Sequence, residues 1–184
     1  AAPAPEGRDS DQNIGAKRDE VLNGIYAAIA INPYEVRYFT GLAQVLFQKM
    51  NDVVALINAR PAGERQVKPE ETALIQNLAT RTVNAVQRAV TLDPQNVNVA
   101  MNVAESYRNL APLIQGADDL AIQNYERAAS LEPINPFIKT QLGQFYLIKS
   151  NLFNYGLEVN TEFVDKAHAV LKEALELSPT PMTH

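Results

Sequence analysis

An all-α chain, an α-solenoid of about seven helices, is what this sequence predicts, and three observations carry the prediction. Apolar residues recur every three or four positions through most of the chain, the period of one helix face. No stretch of useful length alternates apolar and polar residues as a half-buried strand would. Four times, finally, a helix ends the same way, as alanine, a short apolar stretch, one or two polar residues and proline. These endings are Ala28-Ile-Ala-Ile-Asn-Pro33, Ala89-Val-Thr-Leu-Asp-Pro94, Ala128-Ala-Ser-Leu-Glu-Pro133 and Ala174-Leu-Glu-Leu-Ser-Pro179. Proline lacks the amide that a helix interior needs, so each one marks a stop. Four stops with one internal spacing mark a repeat.

The elements follow in order. Residues 1–13 are small, polar and Pro-rich, without periodicity, and predict an extended tail. Residues 179–184 predict a second tail, which leaves 14–178 as the helical repeat domain. Leu22, Ile25, Ala28 and Ile29 form the first stripe, ending at Asn32-Pro33, and Phe39, Leu42, Ala43, Leu46 and Phe47 form the second. Arg60-Pro-Ala-Gly63 is a turn signal. Pro69-Glu-Glu then opens a helix, with proline in the first turn and acids facing the positive end of the helix dipole. It runs through Ile75, Leu78, Ala79, Val83, Val86 and Ala89 to Asp93-Pro94.

Asn96 and Asn135 are the right residues to cap the next helices, because each side chain can accept a bond from a free first-turn amide. The helix after Asn96 carries Val99, Val103, Ala104 and Tyr107, and the one after Asn135 carries Ile138, Leu142, Tyr146 and Leu147. Between them, Asp118 to Leu131 carries Ala121, Tyr125 and Ala128, with Asp118-Asp119 read as acids at a helix start. Thr161 to Leu177 closes the set with Phe163, Val164, Ala167, Leu171, Ala174 and Leu175.

Taken as pairs, these helices resemble tetratricopeptide (TPR) repeats. Nine, ten and thirteen residues after successive stops stand Leu42-Ala43-Leu46, Val103-Ala104-Tyr107 and Leu142-Gly143-Tyr146, similar to the apolar, small, aromatic pattern of that family's first helix. Ala121, Tyr125, Ala128 and Pro133 match its second helix, as do Ala167, Leu171, Ala174 and Pro179. Val86, Ala89 and Pro94 match less fully, because Thr82 stands where a small apolar residue is usual. The resemblance covers roughly residues 16–179. The stops at 33, 94, 133 and 179 lie wider apart than the family's unit of about 34 residues, so the turns within the pairs are expected to be lengthened. A looser likeness, around Tyr107 to Ala121, is to the TPR-bearing extracytoplasmic region of bacterial O-antigen-ligase-like proteins.

Composition narrows the function classes. The net charge of −5 comes from 21 acidic and 16 basic residues, both signs dispersed. Without a basic stripe there is no electrostatic footprint for nucleic acid. No apolar run approaches the roughly 18–20 residues of a membrane span. There is no cysteine and there are two histidines, His168 and the terminal His184. His168 has no metal-ligating neighbour at helical spacing, and neither a phosphate loop nor a nucleophile elbow appears. No enzyme, metal or cofactor is expected.

What the TPR resemblance implies is a binding surface on the first helix of each pair. Its candidates are Arg37, Gln44 and Phe47; Asn98, Met101, Asn102, Glu105 and Arg108; and Phe137, Gln141 and Gln144. The first stripe then belongs to a second-type helix without its mate, and no added capping helix follows the last. A solenoid with uncapped ends favours stacking of copies. Candidates for such assembly are Ala1, Pro3, Pro5, Leu22, Ile25 and Ile29 at one end, and Leu175, Pro179, Pro181 and Met182 at the other. The expected activity is head-to-tail self-association into a filament or tube. The alternative is a monomeric adaptor holding another protein or peptide. Ala1-Ala-Pro-Ala-Pro5 is similar to the start of a mature bacterial protein after cleavage of a signal peptide, so an extracytoplasmic or extracellular location is expected.

Overall fold

The computed structural model describes residues 7–152 and 159–178. Among them stand seven α-helices and no strand: α1 (Gly7–Ile31), α2 (Val36–Asn58), α3 (Pro69–Leu92), α4 (Val97–Leu110), α5 (Ala117–Leu131), α6 (Pro136–Leu152) and α7 (Thr161–Leu177). A single 3-10 turn, Ala62–Glu64, follows the expected break at Arg60-Pro61. The chain divides into two compact units, one up to Leu92 and one from Asp93.

Local chemistry sets the helix boundaries. Asn96 Oδ1 accepts from the amides of Asn98 and Val99 at 2.9 and 3.3 Å, and Asn135 Oδ1 accepts from that of Phe137 at 3.0 Å. Asn160 does the same for Glu162 at 3.1 Å. These bonds satisfy first-turn amides that have no partner inside the helix. The acid preceding two of these caps locks the turn: Asp93 accepts from the Asn96 amide group and Glu132 from that of Asn135, each at 2.8 Å.

In the first unit, α2 packs between α1 and α3. Arg18 pairs with Asp52 at 2.8 Å and Lys49 with Asp19, which sets α1 and α2 antiparallel. Arg60 at the end of α2 grips Glu71 at the start of α3, and that bond holds the Glu71 carboxyl down at about 2. Thr82, the mismatch in the repeat pattern, is fully buried. Its hydroxyl donates to the Leu78 carbonyl at 2.8 Å, so the misplaced polar atom is satisfied within its own helix.

Two expectations are corrected here. The residues to position 13 are not all an extended tail, because α1 begins at Gly7. The last proline before α1 stands at position 5, and nothing between it and Ile31 bars a helix. Nor is the first stripe left open. Leu22 is only 5% exposed, and Ile25 and Ile29 are half-buried. The short turn after Ile31 folds α2 back along α1, which covers the side that a missing mate was expected to leave bare.

In the second unit, α4 pairs with α5 and α6 with α7, while α5 also packs on α6. Ala100, Ala128 and Ile138 join α4, α5 and α6 in one buried cluster. Gly143 lets α6 and α7 approach closely: a Cβ there would sit 2.6 Å from Leu171 Cγ. Lys149 ties three helices together. It bonds Asp118 at 2.8 Å and Asp119 on α5, and lies 4.8 Å from the Phe163 ring centre on α7. Burial alone would lower the Lys149 pKa, but the two aspartates outweigh it and the net shift is upward. Asp118, expected as a plain helix-start acid, is 8% exposed and serves as an interhelical anchor.

Candidate functional site

α4 and α6 run side by side in the second unit, and their facing sides form a cleft of about 210 Å3. Its lining comes from Val97, Asn98, Met101, Asn102 and Glu105 on α4, Glu132 and Asn135 in the turn after α5, and Phe137 and Ile138 on α6. Helical spacing accounts for the α4 side: 98, 101, 102 and 105 recur at three- and four-residue steps and share one face. The buried positions 99, 100, 103, 104 and 107 face inward. On α6, Ile138 is buried while Phe137, one residue before it, stands 60% exposed.

The cleft combines an apolar floor with amides and two carboxylates. Asn102 spends its amide hydrogen on the Asn98 carbonyl at 2.8 Å, which leaves its side-chain oxygen free to accept. Glu105 is half-buried and Glu132 exposed, and no cation lines the cleft. Arg108, one turn beyond Glu105, donates instead to Gln141 on α6 at 3.4 Å.

Beneath α4 lies the Tyr125 hydroxyl, fully buried and without a hydrogen-bond partner among the described residues. Burial pushes its pKa up to about 12, with Arg108 and Glu105 acting on it in opposite directions. By contrast, the Tyr146 hydroxyl donates to Glu126 at 2.6 Å. Burial and that bond together raise its pKa.

Of the binding-surface candidates, the structure thus brings together Asn98, Met101, Asn102, Glu105 and Phe137. Arg108 and Gln141 bond each other beside them, and Gln144 stands exposed farther along α6. Arg37, Gln44 and Phe47 belong to α2 of the first unit. There Arg37 is engaged by its own capping residue, Glu35, at 2.8 and 3.0 Å. Val97, Glu132, Asn135 and Ile138 were not singled out as binding residues. Asn135 was legible only as a cap, and its place in the cleft depends on α6 lying beside α4. Of the assembly candidates, Leu175 is 75% exposed on α7. Ala1, Pro3, Pro5, Pro179, Pro181 and Met182 lie outside the described residues.

Among the described residues no group of three or more His, Cys, Asp or Glu side chains is placed to hold a metal ion. No helix among them is long and apolar enough to cross a membrane.

Consecutive packed helix pairs, with the small residues Ala104, Ala121, Ala128 and Gly143 buried among them, make an all-α helical-repeat fold. No family model matches the chain, and no curated protein does. Solved structures that it is similar to include MamA, at 18% identity and a TM-score of 0.41, covering 95% of this chain and 96% of that one. YrrB, described as a TPR protein with an unusual peptide-binding site, aligns at 15% identity and a TM-score of 0.40, covering 91% and 81%. TTC0263, a thermophilic TPR protein of Thermus thermophilus, aligns at 17% and 0.44, covering 95% and 93%. None of these three is an O-antigen-ligase-like protein.

Proposed function

We propose that this chain is a non-enzymatic protein-binding module whose α4–α6 cleft receives a segment of another polypeptide. The observation that carries the reading is the lining itself: exposed Phe137 and half-buried Met101 beside the amides of Asn98 and Asn102. Such a lining offers an apolar seat and hydrogen bonds to a peptide backbone at once. Its volume, about 210 Å3, lies below the roughly 300 Å3 at which sites for drug-sized molecules begin. That suits one or two side chains of a chain lying across the cleft better than an enclosed small ligand.

Selection of phage-displayed random peptides against the purified full chain tests this. Enriched peptides should lose at least tenfold in affinity on Met101→Glu, which puts a charge on the apolar floor, while the melting temperature stays near that of the parent. Peptides that bind the variant as well as the parent would refute the cleft as the site.

Self-association is the second reading, and one observation favours it: Leu175, 75% exposed, on the outward side of the last helix. With Leu22 covered by α2, a head-to-tail contact on the first stripe is weaker than the sequence suggests. Sedimentation over a wide concentration range decides. Mass that rises with concentration and falls back on Leu175→Glu supports assembly, and a monomer throughout removes it.

A further inference from the structure

Charge selects what the α4–α6 cleft takes. Two carboxylates, Glu105 and Glu132, line it together with the apolar side chains of Val97, Met101, Phe137 and Ile138. No lysine or arginine belongs to the lining. Of the nearby guanidinium groups, Arg108 directs its hydrogen bond to Gln141 and Arg127 to the Pro94 carbonyl, rather than to either carboxylate. Glu132 accepts one bond, from the Asn135 amide group, through a single carboxylate oxygen, which leaves its second oxygen open.

An acidic ligand would therefore bring like charge against Glu105 and Glu132. A purely apolar one would strip water from a half-buried carboxylate without replacing it. A ligand with one basic side chain next to an apolar residue meets both demands. From this we infer that the cleft is selective for polypeptide segments in which a lysine or arginine adjoins a leucine-like residue. The basic group sits against the cleft's carboxylates, and the apolar side chain lies against Met101 and Phe137. The inference rests on the peptide-binding reading above and supplies the partner's chemistry.

Fluorescein-labelled nine-residue peptide pools, degenerate except for a fixed central pair, provide the probe. The pairs are Leu-Lys, Leu-Gln and Leu-Glu, and binding to the full chain is read by anisotropy. The Leu-Lys pool should bind about tenfold more tightly than the Leu-Glu pool at low ionic strength, with Leu-Gln between them. That gap should shrink severalfold when salt rises to about 0.5 M, because the pair is only partly buried. The double variant Glu105→Gln, Glu132→Gln should bind all three pools alike, at the affinity the parent shows for Leu-Gln. Glutamine keeps the oxygen that accepts from Asn135, so the turn is preserved. If the parent binds the three pools equally, or Leu-Glu best, while Met101→Glu still abolishes binding, the inference fails and the peptide-binding reading stands. If the folded parent binds no pool, both fail.

Discussion

Removing one hydroxyl from Tyr125 should stabilise the protein, whereas the same excision at Tyr146 should weaken it. Both rings sit in the core of the second unit, and the contrast comes from what each oxygen meets. The Tyr125 hydroxyl is cut off from water and finds no partner among the described residues. A buried group in that condition costs about 1–3 kcal/mol of desolvation that folding never returns. Phenylalanine removes the cost and keeps the ring, including its packing on Phe145 at 5.8 Å between centres.

Against the gain stands the void. One oxygen leaves on the order of 15 Å3, which at about 24 cal/mol per Å3 is roughly 0.4 kcal/mol. The net for Tyr125→Phe is a gain of about 1 kcal/mol. At Tyr146 the hydroxyl donates to a carboxylate at 2.6 Å. A bond to a charged group is worth about 1.5–3 kcal/mol, but exposed Glu126 recovers water once released, so a loss of about 1 kcal/mol is expected. Thermal melts followed by circular dichroism should separate the two variants by about 4–8 °C, with the parent between them. A Tyr125→Phe protein that melts below the parent, or two variants shifted in the same direction, would refute the reasoning.

Two further outcomes concern packing and pH. Gly143→Val should destabilise by about 1–3 kcal/mol through overpacking against Leu171, whose Cγ and Cδ2 would lie 2.6 and 2.8 Å from the new Cβ. Adding Leu171→Ala should recover part of that loss, and additive effects in the double variant would remove the contact as the cause. In acid, the carboxyls of Glu35 and Glu71 titrate at about 2, each held down first by its hydrogen bond to Arg37 or Arg60. Glu162 is lowered likewise by Lys166. A depressed folded value adds stability that is complete above the unfolded value near 4.3 and is lost as pH falls towards 2. The melting temperature should drop across that window, and less steeply in Glu71→Gln; identical slopes would exclude the Arg60 pair as a contributor.

Much of the fold was legible because its signals are local. Asn96 and Asn135 cap their helices by bonds that span two or three residues, so they can be read from spacing alone. The helix stops at Pro33, Pro94 and Pro133 were equally plain, since proline acts on its own turn. Asp118 and Lys149 show where local reading ran out. At a helix start an aspartate looks like a dipole partner, and only the return of α6 along α5 makes it one side of a shielded ion pair. Thr82 broke the repeat pattern on paper, yet its own helix supplies the carbonyl that satisfies it.

The sequence by itself determined the all-α class, the order and limits of most helices, the small residues at the crossings and the polar character of the α4 face. Periodicity, caps and stops carry all of these, and each acts within a turn or two. Tertiary structure alone decided that α2 covers the first apolar stripe, that α6 lies beside α4, and that Glu105 and Glu132, from different elements, line one cleft. Those outcomes depend on which helix faces pack together. A helix specifies which face is apolar, but which neighbour covers that face is settled by the summed burial and ion pairing of several elements at once.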